Sequence, residues 1–380
     1  MFYLLIDKYQ PWLDAHGLGF LRVFNALTFQ SVAAILISFL IVVAFGDRFI
    51  GWLRARKFGD LATFDQADID KLMEGKKGTP TMGGLLIISA IATTTLLLAN
   101  LQNFYVLMGL ICLIGLGAIG ASDDWLKLTA GRKAGSRTGL TEAEKLIGQV
   151  GLAIVIAMFT FRHGRENEVA HSLFLPFVKD PVWIMGIVPF TILGAGVIVC
   201  FSNAVNFSDG LDGLCAGCMS IVSIAFLVLA LLAGIPAVGR YLLLPIVPYG
   251  GELAVMAGAM LGACLGFLWF NCPPAKVFMG DTGSLALGGL IGYIAFVIRH
   301  EFTLVLIGGV FVAEAVSVLI QRYWFKYTRI RYGEGRRIFL MAPIHHHFQR
   351  KGWTETQVVI RFWLIGAILA AMAIATVKLR

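Results

Sequence analysis

Charge is scarce in this 380-residue chain: 14% of its residues are Asp, Glu, Lys or Arg, against about 25% in a typical soluble domain. With 58% hydrophobic residues and a mean hydropathy of +0.80, that deficit excludes a soluble globular fold and leaves an integral membrane protein. Alternating apolar and polar segments are absent, which excludes a transmembrane β-barrel. No polar stretch between apolar runs is long enough for a soluble domain, so residues 1–380 read as one membrane domain. Residues 1–20 lack a basic start, an apolar h-region and a small-residue cleavage site, so no cleavable signal is expected. Cysteine pairs are also lacking. Cys215 and Cys218 form a lone CxxC with no second pair, and Cys112, Cys200, Cys264 and Cys272 sit in or beside apolar runs. Small helix-packing residues explain them better than zinc or redox chemistry does.

What is present is a series of apolar runs near the bilayer-crossing length of about 20 residues. They fall near 22–45, 81–99, 104–121, 145–161, 182–201, 213–233, 252–270, 283–298, 303–321 and 358–377. The expectation is an all-α polytopic protein of ten transmembrane helices. Gly258, Gly262 and Gly266 repeat every four residues in the seventh run, the pattern of a close helix–helix face. The net charge of +8 invites a nucleic-acid partner, but in a membrane protein surplus Lys and Arg mark cytoplasmic loops. Of the 31 Lys and Arg, 22 follow the odd-numbered runs or open the tenth. Those loops are therefore read as cytoplasmic and both termini as periplasmic, with no nucleic acid involved.

Five unusual polar stretches remain: "KKGTPTMGG" (76–84), "SDDWLK" (122–127), "SNAVNFSDGLDG" (202–213), "NCPPAKVFMGDTGS" (271–284) and "APIHHHFQRKGW" (342–353). They follow the first, third, fifth, seventh and ninth runs, so all five fall on the cytoplasmic side. Scattered structural loops would land on both sides, whereas convergence on one face argues for a single site. Asp123 and Asp124 could simply end a span, and Lys127 could pair with them along a surface helix. Asn203, Asn206, Asp209 and Asp212 recur every three residues beside hydrocarbon, which a turn alone does not explain. Asp281 could cap a helix whose free amides would also suit phosphate.

Gathered unaided, Asp123, Asp124, Asp209, Asp212 and Asp281 would repel one another. A divalent cation resolves the conflict, and Mg²⁺ typically takes one or two carboxylates plus substrate phosphates. Lys76, Lys77, Lys127 and Lys145 would meet the remaining phosphate oxygens. His345, His346 and His347 are consecutive, hence about 100° apart on a helix. They read as phosphate donors or orienting groups rather than zinc ligands. Glu314, inside the ninth run, reads equally as a functional acid or as a neutral acid between helices. A cytoplasmic metal–phosphate site at the rim of a helical bundle points to phosphoryl transfer between a soluble nucleotide-linked donor and a lipid phosphate.

The stretches "DDWLK", "NAVNFSDGLDGL", "NCPPAKVFMGDTGSLALGG", "MAPIHHHFQRKGWTETQVVIRFW" and "KKGTPTMGG" resemble the phospho-N-acetylmuramoyl-pentapeptide transferase family, from about residue 48 onward and in the family's order. The acidic motifs are shared with the wider polyprenyl-phosphate sugar-1-phosphate transferases, and the histidine block discriminates between them. The resemblance implies transfer of phospho-MurNAc-pentapeptide from UDP-MurNAc-pentapeptide to undecaprenyl phosphate. UMP and lipid I would form at the cytoplasmic face of the bacterial inner membrane, with Mg²⁺ as cofactor; a homodimer is left open. It implies Asp281 as a metal ligand, Asp123 acting on the lipid phosphate and Asp124 assisting around the metal. Asn203 and Asp209 would position the metal–phosphate cluster, with Lys127, His345 and His346 in the catalytic set. Gly210, Leu211, Asp212, Asn271 and Phe278 would form the uridine pocket, with Phe278 stacking on uracil. Lys76, Lys77, Lys145, Asn206 and His347 would contact substrate. The acid-poor loop "GRKAGSRTGLTEAEK" departs from the pattern around Lys145. UDP-GlcNAc as donor, or an ion-coupled transporter, are the alternatives.

Overall fold

The computed structural model describes residue 6 and residues 8–56, 78–130 and 139–376. Lys76 and Lys77 lie outside them. The helices that matter here are α1 (Leu27–Ala55), α2 (Gly84–Leu98), α3 (Phe104–Ala130), α4 (Glu142–His163), α5 (Ile187–Phe207) and α6 (Leu214–Gly234). They continue with α7 (Leu253–Asn271), α8 (Gly280–Val297), α9 (Glu301–Ile307), α10 (Gly309–Tyr332), α11 (Ile344–Arg350) and α12 (Glu355–Ala375). The strand content is a two-residue antiparallel ladder between Ser172–Leu173 and Trp183–Ile184 among the described residues.

Eight of these helices are long and apolar enough to cross a bilayer, and a ninth span results if α9 and α10 count as one. The second expected span is α2, whose 15 residues reach about 22 Å at 1.5 Å per residue, short of a hydrocarbon core of roughly 30 Å. The ninth expected span is broken: α9 and α10 meet at 85°. Gly308 sits at the break, and Gly–Gly is a common place for a helix to turn sharply. Beyond the bend, α10 runs to Tyr332, well past the end of the apolar run.

Local sequence sets several helix ends. α4 and α12 open with reciprocal capping boxes, Thr141 with Glu144 and Thr354 with Gln357, each satisfying two otherwise orphaned amides. Gly213, at a φ of 79°, takes the left-handed turn that starts α6. α8 is the innermost helix, with 89% of its spanning window buried, and it packs against α3 and α5. α7 lies on α1 through the expected glycine face. A Cβ at Gly258 would lie 2.5 Å from Ser31 O, one at Gly262 2.8 Å from Ile35 C, and one at Gly266 3.0 Å from Phe39 O. The outer helices turn Leu36, Leu40, Ile192 and Ile368 outward, as lipid contact requires.

Candidate active site

The SDDWLK stretch does not follow its helix but forms the last two turns of α3. The long apolar run therefore carries Asp123 and Asp124 directly against the N-terminus of α8. A helix leaves its first amides without partners, and here carboxylates take them. Asp209 Oδ2 accepts the Gly280 N–H at 3.1 Å. Asp124 Oδ1 accepts the Asp281 N–H at 3.2 Å, and its Oδ2 accepts the Thr282 N–H at 2.9 Å and the Thr282 hydroxyl at 2.6 Å. The expectation that these amides stand free for phosphate is corrected: Asp124 and Asp209 cap them. Burial, reinforced by the nearby Asp281 charge, pushes the Asp209 carboxyl well above the usual carboxylate range, while the Gly280 N–H pulls it back.

Asp281 gathers the rest. Its Oδ1 accepts from Asn206 Nδ2 at 2.8 Å, and its Oδ2 receives Lys127 Nζ at 3.1 Å and Lys145 Nζ at 2.6 Å. The same two ammonium groups lie 2.7 Å from Asp123 Oδ2, while Asp123 Oδ1 accepts the Leu140 N–H at 2.7 Å. Lys145 thus joins the site despite the altered loop before it. Carboxylate oxygens of Asp123, Asp124 and Asp281 fall within 4.8 Å of one another, the one such group among the described residues. It contains no histidine or cysteine, so the donors are all hard oxygens, the set that suits Mg²⁺ rather than zinc. Asp124 Oδ1, with one hydrogen bond, and the paired Asp281 oxygens retain lone pairs for a cation.

The backbone is brought in closely enough to fix this geometry. Phe278 N–H donates to Pro80 O, Gly83 N–H to Phe278 O and Gly84 N–H to Met279 O at 2.8, 2.8 and 2.9 Å, so the "TPTMGG" segment is strapped along "FMGD". A Cβ on Gly84 would lie 2.9 Å from Thr282 C and closer still to Gly283, so this approach requires glycine.

The expected nucleotide residues act first as struts between two loops. Asn271 accepts the Gly213 N–H at 3.0 Å and donates to Val277 O at 2.9 Å. Asp212 Oδ2 accepts the Ala275 N–H at 3.0 Å, and the Asp212 N–H donates to Glu355 at 2.9 Å. Leu211 is buried and Phe278 half-buried. The histidines diverge as consecutive helical residues must. His345 is fully buried against Gly210, His346 Nδ1 lies 2.8 Å from Gln349 Oε1, and His347 Nδ1 accepts the Leu340 N–H at 3.1 Å. Burial and then Lys351 hold the His347 imidazole below its ordinary range, consistent with an unprotonated accepting nitrogen.

Residues 105–299, more than half of the chain, match the model for glycosyl transferase family 4. The chain belongs to that family. Residues 76–88 also match phospho-N-acetylmuramoyl-pentapeptide-transferase signature 1. As a member of glycosyl transferase family 4 carrying this signature, the protein is a multi-pass membrane phospho-sugar transferase that acts on a polyprenyl phosphate.

Sequence reasoning on this glycosyl transferase family 4 chain missed several site residues. Thr282 holds Asp124, Glu355 holds the Asp212 amide, and Ser284 receives Asn206 at 2.9 Å. Gln149 is fully buried and accepts from Asn203 Nδ2 at 2.6 Å. Its signal was available: it lies one turn beyond Lys145 on α4, so the two face the same way.

Proposed function

We propose that the protein transfers phospho-MurNAc-pentapeptide from UDP-MurNAc-pentapeptide to undecaprenyl phosphate, giving lipid I and UMP at the cytoplasmic face of the bacterial inner membrane. The observation that carries this reading is the meeting of three carboxylates and two lysines at the N-terminal end of α8, in a member of a phospho-sugar transferase family. An oxygen of the lipid phosphate bonds to the β-phosphorus of the sugar nucleotide, and the bond from that phosphorus to the UMP oxygen breaks. Little covalent chemistry is asked of the protein, so positioning and charge neutralisation dominate.

Asp281 and Asp124 would hold Mg²⁺, with Asp123 beside them. Bound there, the ion would neutralise charge on the diphosphate and the leaving UMP. Lys127 and Lys145, on separate helices, would present ammonium groups to the phosphate oxygens, and Asn206 keeps the Asp281 carboxylate aimed between them. Asp123 acts as an orienting group rather than a base. Its carboxylate is engaged by two ammonium groups and an amide, and a phosphomonoester with a second pKa near 6 is already largely dianionic at pH 7.

No Ser or Cys in the motifs has an adjacent base, which favours one direct displacement over a covalent phospho-enzyme. The donor is tested by supplying UDP-MurNAc-pentapeptide and UDP-GlcNAc separately with undecaprenyl phosphate. Lipid-linked product from the first donor alone is expected; efficient use of UDP-GlcNAc would contradict the assignment.

A further inference from the structure

Glu314 lies in α10 just beyond the sharp bend, and it is fully buried, as is His345. Its Oε2 lies 3.1 Å from His345 Nδ1 and accepts the His345 main-chain N–H at 3.4 Å. One oxygen serves both donors, so the ring nitrogen is reached at ion-pair distance without an aligned hydrogen bond. Three atoms of the pair, Glu314 Oε1 and both ring nitrogens of His345, have no hydrogen-bonding partner among the described residues, and Nε2 lacks even an ion-pair neighbour there. Orphaned buried polar atoms are costly and ask for an explanation.

The position of Nε2 supplies one. A Cβ on Gly210 would lie 2.5 Å from it and 2.9 Å from Cε1, so the ring rests on the main chain of the SDGLDG loop where only glycine leaves room. That loop is anchored on both flanks of Gly210, by Asp209 to the Gly280 amide and by Asp212 to the Ala275 amide. A carboxylate beside Nδ1 holds the proton on that nitrogen and so decides which face the other nitrogen presents.

We propose that Glu314 is a positioning residue for the transfer reaction, holding His345 by ring and main chain so that Nε2 addresses a uridine nucleotide seated on the SDGLDG loop. The assignment of the nucleotide rests on the function proposed above. The position of Glu314 does not: the carboxylate reaches the histidine helix from α10, after the bend that aims α10 towards α11.

The test combines kinetics with a spectroscopic signature read without substrate. Glu314→Gln, His345→Gln and the double variant are assayed for UMP release over a range of sugar nucleotide and, separately, of undecaprenyl phosphate. Glu314→Gln is expected to lower kcat/KM for the sugar nucleotide at least about tenfold, a barrier change of about 1.4 kcal/mol, with KM for the lipid phosphate unchanged within about twofold. Because Glu314 acts through His345, the double variant should be no worse than His345→Gln within about threefold, and independent sites would instead add. Fully additive losses overturn the proposal.

The chain has seven histidines, few enough for ¹⁵N-histidine NMR of the unliganded protein in detergent. The His345 Nδ1 resonance, identified by its loss in His345→Gln, should move in Glu314→Gln and return towards its native position in Glu314→Asp. An unmoved resonance in Glu314→Gln also overturns the proposal. Should Glu314→Gln not fold, Glu314→Leu, which removes the carboxylate without leaving a buried polar group, replaces it, and full kcat/KM with an unmoved resonance in that variant counts against positioning. If wild type releases no UMP, the functional reading fails while the NMR comparison still decides the role of Glu314.

Discussion

Gly120 lies on α3 one turn before Asp124, and nothing in its own chemistry touches substrate. A Cβ there would lie 2.5 Å from Asp281 C and 2.7 Å from Thr282 Cα, both backbone atoms of the first turn of α8. Ordinary contact begins near 3.4 Å, so Gly120→Ala must part the two helices by about 1 Å at the one place where Asp281 meets Asp123 and Asp124. Overpacking of this kind costs about 1–3 kcal/mol of stability, and a misplacement of about 1 Å in a reacting constellation can cost roughly 10²-fold in rate. Gly115 is the control on the same helix. A Cβ there meets the Leu152 side chain at 2.6 Å, a flexible neighbour able to move aside. UMP release and thermal denaturation of both variants test the argument. Gly120→Ala should lose about 100-fold in kcat with a lowered Tm, while Gly115→Ala stays within about threefold of wild type. Gly120→Ala with more than half the native rate and an unchanged Tm would refute the reasoning.

Three further outcomes follow from the same geometry. Asp281→Asn removes the carboxylate shared by Lys127, Lys145 and Asn206 and should cost more than about 100-fold in turnover, about 2.7 kcal/mol in the barrier; near-normal turnover at saturating Mg²⁺ would sink its role as a ligand. Asp123→Asn should show a deficit that is flat with pH, because a dianionic lipid phosphate needs no base above its second pKa near 6. A mutant-to-wild-type ratio climbing at least about tenfold between pH 6 and 8.5 would restore the base role. Incubation with labelled sugar nucleotide and no lipid should leave the protein unlabelled, and label on an aspartate at a competent rate would establish a covalent route.

The gathering of the site was legible in the sequence because charge asymmetry and motif order are one-dimensional properties. The acids, Lys127, Lys145 and the histidine block were all read onto one face before any contact was known. Helix ends were less legible. A hydropathy ruler stops where apolar residues stop and so ends α3 at 121, whereas the helix continues through Asp123, Asp124 and Lys127 because their carboxylates and ammonium meet partners on α4 and α8. The break at Gly308 was hidden for the opposite reason: apolar residues continue through it, and only the 85° turn reveals two helices. Most instructive are Asp124, Asp212 and Asn271. Residue type marks them as polar groups beside a site, but only the fold shows Asp124 Oδ2 holding the first turn of α8, and Asp212 Oδ2 and the Asn271 amide holding the main chain of a neighbouring loop. Glu314 read as ambiguous because its partner lies 31 residues away in sequence, beyond the reach of any local pattern.

UMP release by the purified protein tests the central claim, a carboxylate-bound divalent cation promoting phosphoryl transfer onto a lipid phosphate. Four conditions suffice: sugar nucleotide with undecaprenyl phosphate and Mg²⁺, the same without the lipid, the same with EDTA, and EDTA followed by excess Mg²⁺. Release is expected in the first and last conditions alone. Release that persists in EDTA, or that proceeds at the full rate without the lipid phosphate, would contradict the account.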